Sequence, residues 1–528
     1  MSQSDREAPF PVGQAPMLDR RQFGRIVSAG LLGIMGAGAA GVSAKAATPR
    51  RGGRVRAAMS SESTNDTFDG VKFVITNDYF RGSTFYNTLT GLDGNAEAIP
   101  QLAKSFTPNA DATQWVFELE SGVRFHDGSP LLPEDIAYSI LRHRAEGSVS
   151  SMKALISHID SISADGRSKV VVKLREPDVD LPLLLASGPF NIVKDGTTNF
   201  STVNGTGPFR LKEFVPGVRT VGVRNNEYWR EGRPYLDEIE FISITDPIAR
   251  VNALLAGDVD MIVNVAGAGI DRVTTSSNAE LLTTPCPRYT DISMRMDVAP
   301  SSSQDLRLAL AHAMDRERFV NVVLKGHGKV GNDHPFLPGS TFYNADIPQR
   351  AADLDRAKFH FARSGIGTSA IPITVTDAAP FSVDLGLILQ RQAASIGMNV
   401  QLDRVPIDSY WNNVWGTRPL SVGTINPRPT YNIVSGIVLK TGANWNKARF
   451  SNARVDKLID ETRSTLDLAK RKEMYGEIQK IVNEATPTLL PAFAFYVDGM
   501  SKKVKGLTPV PIGNLGGFNF ADRVWLES

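Results

Sequence analysis

Between Asp353 and Trp415 the chain runs helix, strand, helix, strand, helix, and few architectures accept that order. Asp353–Ser364 has helical periodicity and is stopped by Gly365; Ile373–Thr376 reads as a strand, Val383–Ile396 as a helix, Val400–Val405 as a strand and Asp408–Trp415 as a helix. Strands joined through helices predict a parallel sheet covered on both faces. Upstream the pattern is mixed. Ile162–Ala164 and Lys169–Leu174 flank Asp165-Gly166-Arg167 as a hairpin, and Val218–Arg224 and Ile239–Ile244 read as strands. Ile248–Ala256 is a helix closed by Gly257, and Val259–Val263 follows as a strand. Leu306–Leu324 reads as one long amphipathic helix, followed by Lys325-Gly326. A chain of 528 residues is too long for one core and predicts two or three packed units.

Charge and cysteine usage exclude several classes. The formal net charge is +2, and the first 46 residues hold five of the 58 basic and three of the 56 acidic residues, so the body is neutral. A neutral body carries no electrostatic footprint for nucleic acid. The single cysteine, Cys286, excludes an internal disulfide and a cysteine metal cluster. The seven histidines are scattered, and none falls between Trp411 and Trp445. No metal and no cofactor are expected.

Residues 1–46 read as a secretory signal. Arg20-Arg21 is a twin-arginine pair, Ile26–Ala44 is a mildly apolar stretch, and Ala44-Lys45-Ala46 is a cleavage pattern. The segment resembles a Tat signal, with Asp19 where Ser or Thr is commoner. The alternative is a single membrane anchor, for which the stretch is rich in glycine. Gly36–Gly41 matches a nucleotide-binding glycine pattern, but no strand precedes it and no acidic residue follows at the right distance.

Enzymatic motifs are missing. The chain has no G-x-S-x-G, no H-E-x-x-H and no Asp-rich calcium loop. His126-Asp127 could be an acid–base pair, but Asp127-Gly128 is ordinary turn chemistry. Gly205-Thr206-Gly207 lacks the Lys-Ser/Thr of a phosphate loop.

Residues 409–446 are chemically the richest stretch. Tyr410, Trp411, Trp415, Asn426, Arg428, Tyr431, Asn444 and Trp445 fall there, with three of the six tryptophans. Flat apolar walls with a few polar groups suit a cleft for a small polar solute. Trp411 and Trp415, at i and i+4, are equally one core face of a helix. Arg428 could hold a carboxylate or phosphate through paired hydrogen bonds, or face solvent. Glu62 and Ser63, at the end of the first strand, form a second candidate patch, and Glu62 could equally be a surface acid.

Several segments together resemble the family 5 extracellular solute-binding proteins. They are Phe85–Gly94 with Ile99–Phe106, Phe117–Pro130 with Pro133–Asp135, Asn204–Phe209 with Arg224–Trp229, Ala249–Asp260, Leu306–Arg318, and Ala469–Tyr475 running to Ala485–Pro487. The resemblance implies an α/β fold: a two-lobed periplasmic binding protein of the cluster C type, with a discontinuous first lobe and an extra subdomain. It places the signal at 1–46, the first lobe at 47–289 with a subdomain at roughly 72–205, the second lobe at 290–498, and a C-terminal return to the first lobe at 499–528. The implied function is capture of a small polar solute, peptide-like or opine-like, by hinge closure. The implied partners are that solute and the transmembrane subunits of an ABC permease, with a monomer working in the periplasm and no covalent chemistry. A hydrolase or a sensory binding protein on the same scaffold is the alternative. Peptide binders of the family carry an acid near residue 425 for the ligand's free amine. Ile425 stands there, and Arg428 replaces another acid, which points to an anion-bearing solute other than an ordinary peptide.

Overall fold

The computed structural model describes residues 48–61 and 63–527. The signal expected over residues 1–46 lies outside the described residues, as does Glu62. Everything from Pro49 onward forms one compact unit built on three principal sheets. Among the described residues no helix is long and apolar enough to cross a membrane.

The first sheet has seven strands. In spatial order they are Ala279–Thr284, Tyr496–Ser501, Met261–Ile262, Arg54–Met59, Glu238–Ser243, Arg219–Arg224 and Phe209–Val215. Arg54–Met59 pairs parallel with both of its neighbours, so the first described strand lies at the middle of the sheet. The helix Pro247–Ala256 packs over this sheet. Asp246 caps it by accepting from the Ala249 N–H at 2.6 Å, and Gly257 at φ 81° ends it, a conformation that an L side chain resists. The Gly/Pro-rich C-terminal stretch joins the same core, with Phe518 and Phe520 edge-on to Phe80 at 5.2 and 5.8 Å.

The second sheet runs Gly328–Val330, Ala492–Ala494, Tyr289–Met294, Leu420–Ile425, Ile371–Val375 and Val400–Arg404, with Thr488–Leu489 also paired to Tyr289–Met294. Only half of it is the parallel sheet expected. Ile371–Val375 is parallel to both neighbours, while Tyr289–Met294 and Ala492–Ala494 pair antiparallel. Those two strands carry the chain in from, and back to, the first sheet. Their directions follow from that passage and not from a strand–helix–strand crossover.

A four-stranded antiparallel sheet, Ala103–Pro108, Gln114–Leu119, Lys169–Leu174 and Ile159–Asp165, forms a third body with its own apolar core. It is fastened to the first sheet near Gly205 and Gly207. A Cβ at Gly205 would lie 2.1 Å from the Phe85 carbonyl oxygen, and one at Gly207 would lie 2.3 Å from the Phe85 carbonyl carbon. The ring of His126 faces the Gly207 carbonyl at 3.1 Å, and Asp127 accepts from the Ser129 backbone and hydroxyl. These two residues are fasteners of a turn.

The helix read over Leu306–Leu324 is broken. Gln304–Ala313 is helical, Met314 is extended, and Asp315 starts a new turn by accepting from the Arg318 N–H at 2.9 Å. A short π-helical turn, Phe319–Val323, follows. Apolar periodicity continues through the break and hides it. The aspartate is what ends the run, because its side chain competes for backbone N–H groups.

Candidate functional site

A cavity of about 610 Å³ opens between two walls. One wall comes from the helix Thr76–Phe85 (Tyr79, Ser83), from Ser187–Asn191 and from Phe518. The other comes from residues 427–445. Arg428 is the only charged side chain among the described residues that line it.

Local sequence fixes where Arg428 points. The strand Leu420–Ile425 ends two residues before Pro427, and Pro429 disfavours helical backbone at Arg428, which lies in neither a strand nor a helix. Thr430 then starts the helix Tyr431–Val438, its hydroxyl accepting from the Ile433 N–H at 3.1 Å. The arginine therefore sits on a stiff connector between a strand and a helix. Its guanidinium lies over the Trp445 ring, 4.8 Å from the centroid. No carboxylate among the described residues forms an ion pair with it. Burial pushes its pKa down, and only the phenols of Tyr79, Tyr289 and Tyr496 act against that. A cation partly withdrawn from water with no counter-charge is costly, and an anion entering the cavity would relieve that cost.

Trp445 is held by its loop and by a run of rings. Buried Asn446 pins the loop, donating to the Lys440 and Phe450 carbonyls and accepting from the Phe450 N–H. Trp445 meets Trp415 at 5.9 Å, Trp415 meets Trp411 at 5.3 Å, and Trp411 meets Tyr410 at 5.2 Å, all edge-to-face. Tyr410 anchors the far end by donating to the Val422 carbonyl. The series runs from the second sheet to the cavity rim.

Of the residues singled out from sequence, Arg428, Asn444 and Trp445 line this cavity. Trp411 and Trp415 stand behind it in the ring series, and Tyr410 is fully buried. Tyr431 is half-buried against the core around Phe336 and Tyr475, stacked on Phe336 at 5.0 Å, and does not line the cavity. Asn426 is exposed and outside the lining. Ser63 is also outside it; its hydroxyl accepts from the Asn65 N–H, and its backbone packs beside Gly217. The first-lobe wall was missed altogether. Tyr79, Ser187 and Phe518 lie in none of the segments that carry the family resemblance, and Asn87, inside Phe85–Gly94, was not singled out there as a site residue. Among the described residues no cluster of three or more His, Cys, Asp or Glu could hold a metal ion.

Residues 97–444 match the family model of the bacterial extracellular solute-binding proteins, family 5 Middle. The chain belongs to this family. The oligopeptide-binding protein AppA of Bacillus subtilis is 26% identical over 439 residues, covering 77% of this chain and 80% of that protein. HbpA2 from Haemophilus parasuis has the same fold, with a TM-score of 0.80 at 20% identity over 90% of this chain and 100% of that one. So does the binding protein AgaA from A. tumefaciens R10, solved with agropinic acid, with a TM-score of 0.73 at 22% identity over 90% of this chain and 99% of that one. The family 5 fold is two-lobed. Solute capture is the function of this chain.

Proposed function

We propose that this family 5 protein, the solute-binding component of an ABC importer, captures a small anion-bearing solute in the cavity beside Arg428. The observation that carries the reading is the unpaired guanidinium. It is partly withdrawn from water, lies over an aromatic face, and is the only charge among the described lining residues. A carboxylate or phosphate with a flat or apolar body meets both features, accepting two hydrogen bonds from the fork and lying against Trp445. The structure of AgaA with agropinic acid and the peptide-binding relatives show how wide the range of family cargo is.

In this reading residues 49–284 and 496–527 make the first lobe and 289–494 the second, the return falling at Tyr496 because Tyr496–Ser501 pairs within the first sheet. The lobes rotate about the two connections between the sheets, 285–288 and 495, without covalent chemistry at the solute. Ligand contacts from both walls stabilise the closed form, which a permease then recognises. The protein works as a monomer in the periplasm, delivered there by the signal in residues 1–46. Mass spectrometry of solutes that co-purify with the protein, followed by calorimetry of each, tests the reading. An anionic solute whose affinity collapses in Arg428→Ala is expected. Tight binding of unmodified di- and tripeptides, unaffected by that substitution, would overturn it.

A further inference from the structure

A second arginine crosses between the lobes away from the cavity. Arg471 lies on the helix Leu468–Ala485, whose Tyr475, Ile478 and Val482 pack in a second-lobe core with Phe336. Asp180 precedes the short helix Leu181–Leu185, whose leucines pack in the core of the four-stranded sheet. The two residues are 291 positions apart, yet one Arg471 Nη donates to both Asp180 oxygens at 2.8 Å. Asp180 is 5% exposed and Arg471 9% exposed. The guanidinium lies over the Phe342 ring, 4.9 Å from its centroid. Other bonds cross the same seam: Arg463 pairs with Glu176 at 2.8 Å, the Val179 N–H donates to the Arg463 carbonyl at 3.0 Å, and the Thr341 hydroxyl donates to Glu97 at 3.2 Å.

We propose that the Asp180–Arg471 pair is the closure latch of this protein, a positioning pair that registers the two lobes when they shut and never touches the solute. Its chemistry suits a seam that must part. When the lobes separate, both ions regain water, so opening strands nothing. When the lobes close, each ion loses water and needs the other with good geometry, which penalises any closure out of register. An apolar seam would resist opening, because parting it exposes apolar surface. The latch also adjoins the solute site. A smaller chamber of about 440 Å³ has Asp180, Glu176 and Arg463 in its wall, and it shares Leu155, Ile433 and Ile437 with the main cavity. A solute too large for the cavity would press through those shared residues onto the seam and hold the latch apart.

The test reads lobe separation directly, with no need of a known cargo. Spin labels at Val149 and Leu466, exposed positions on the two sides, report the distance distribution in purified protein dialysed free of solute. Asp180→Leu and Arg471→Met, each alone, leave one buried ion unpaired in the closed form. Each should raise the ratio of open to closed populations by about tenfold or more. The double variant removes both ions and makes this point of the seam apolar, so it should return the distribution at least to the original and further toward closed. An unchanged distribution in both single variants would overturn the proposal. A double variant that stays as open as the singles would also overturn it, because that outcome marks a packing defect and not a latch. Circular dichroism on every variant separates both outcomes from misfolding.

Discussion

Arg428 and Arg471 differ in one respect and resemble each other in most others. Arg471 is buried and Arg428 half-buried, and each lies over an aromatic ring, at 4.9 Å for Phe342 and 4.8 Å for Trp445. Arg471 has Asp180 within hydrogen-bond reach, and burial and pairing act in opposite directions on its pKa, with the carboxylate prevailing. Arg428 has only phenols nearby, so burial prevails and its pKa falls. The seam arginine is complete within the chain, and the cavity arginine is complete only with something from outside. On the proposed reading, that missing counter-charge is what an anionic solute would supply.

The comparison can be broken by making one arginine like the other. Removing the seam carboxylate with Asp180→Ala leaves Arg471 in the condition of Arg428. Loss of one partner from a buried pair should cost about 3–5 kcal/mol in the urea stability of solute-loaded protein. At the cavity, Arg428→Ala should weaken binding of the co-purified solute by about 2–5 kcal/mol in calorimetry, because the bound anion is then stranded. Trp445→Glu gives Arg428 an internal counter-charge and should cost roughly 2–3 kcal/mol of affinity for an anion. Trp445→Ala, which removes only the ring beneath the cation, should cost about 1 kcal/mol. If the glutamate and alanine variants bind equally well, charge at this wall does not decide affinity.

The smallest effect concerns pH, because neither arginine titrates in the usable range. One acid-sensitive group is His126, which burial pushes down to about 4. Its folded pKa is below the unfolded value, so the unfolded chain takes up protons that the folded one refuses. Its contribution to stability is present above pH 6.5 and is lost as pH falls from there toward 4. Between pH 6.5 and 5.5 the loss should be about 1 kcal/mol, and His126→Gln should lower the slope of urea stability against pH between 6.5 and 5 by about 1 kcal/mol per pH unit.

Local chemistry made part of this readable in the sequence. The segments Ile371–Val375, Ser382–Ala394 and Val400–Arg404 differ from the sequence reading only at their ends. Each carries its own periodicity and its own stop signals. The antiparallel half of the second sheet was not readable, because strand direction there depends on where the chain crosses between lobes. The gathering of aromatic and amide residues at 409–446 pointed to one wall of the cavity, and a single wall of consecutive residues is a local property. Tyr410 and Tyr431 have the same composition as cavity residues but satisfy a core instead. The opposite wall brings Tyr79, Ser187 and Phe518 together only through the fold, so no window of sequence contains it.

The place of Tyr496–Ser501 in the first sheet has a consequence for biosynthesis. This strand lies between Ala279–Thr284 and Met261–Ile262, an internal position filled from near the C-terminus. The last strand of the second sheet, Ala492–Ala494, leaves the ribosome just before it. The lobe begun second is therefore the first whose sheet can close, while the lobe begun first keeps an unpaired slot until almost the whole chain has been made. A nascent chain halted before Tyr496 would hold a complete second sheet beside a first sheet with two bare internal edges, the form most exposed to pairing with a neighbouring chain.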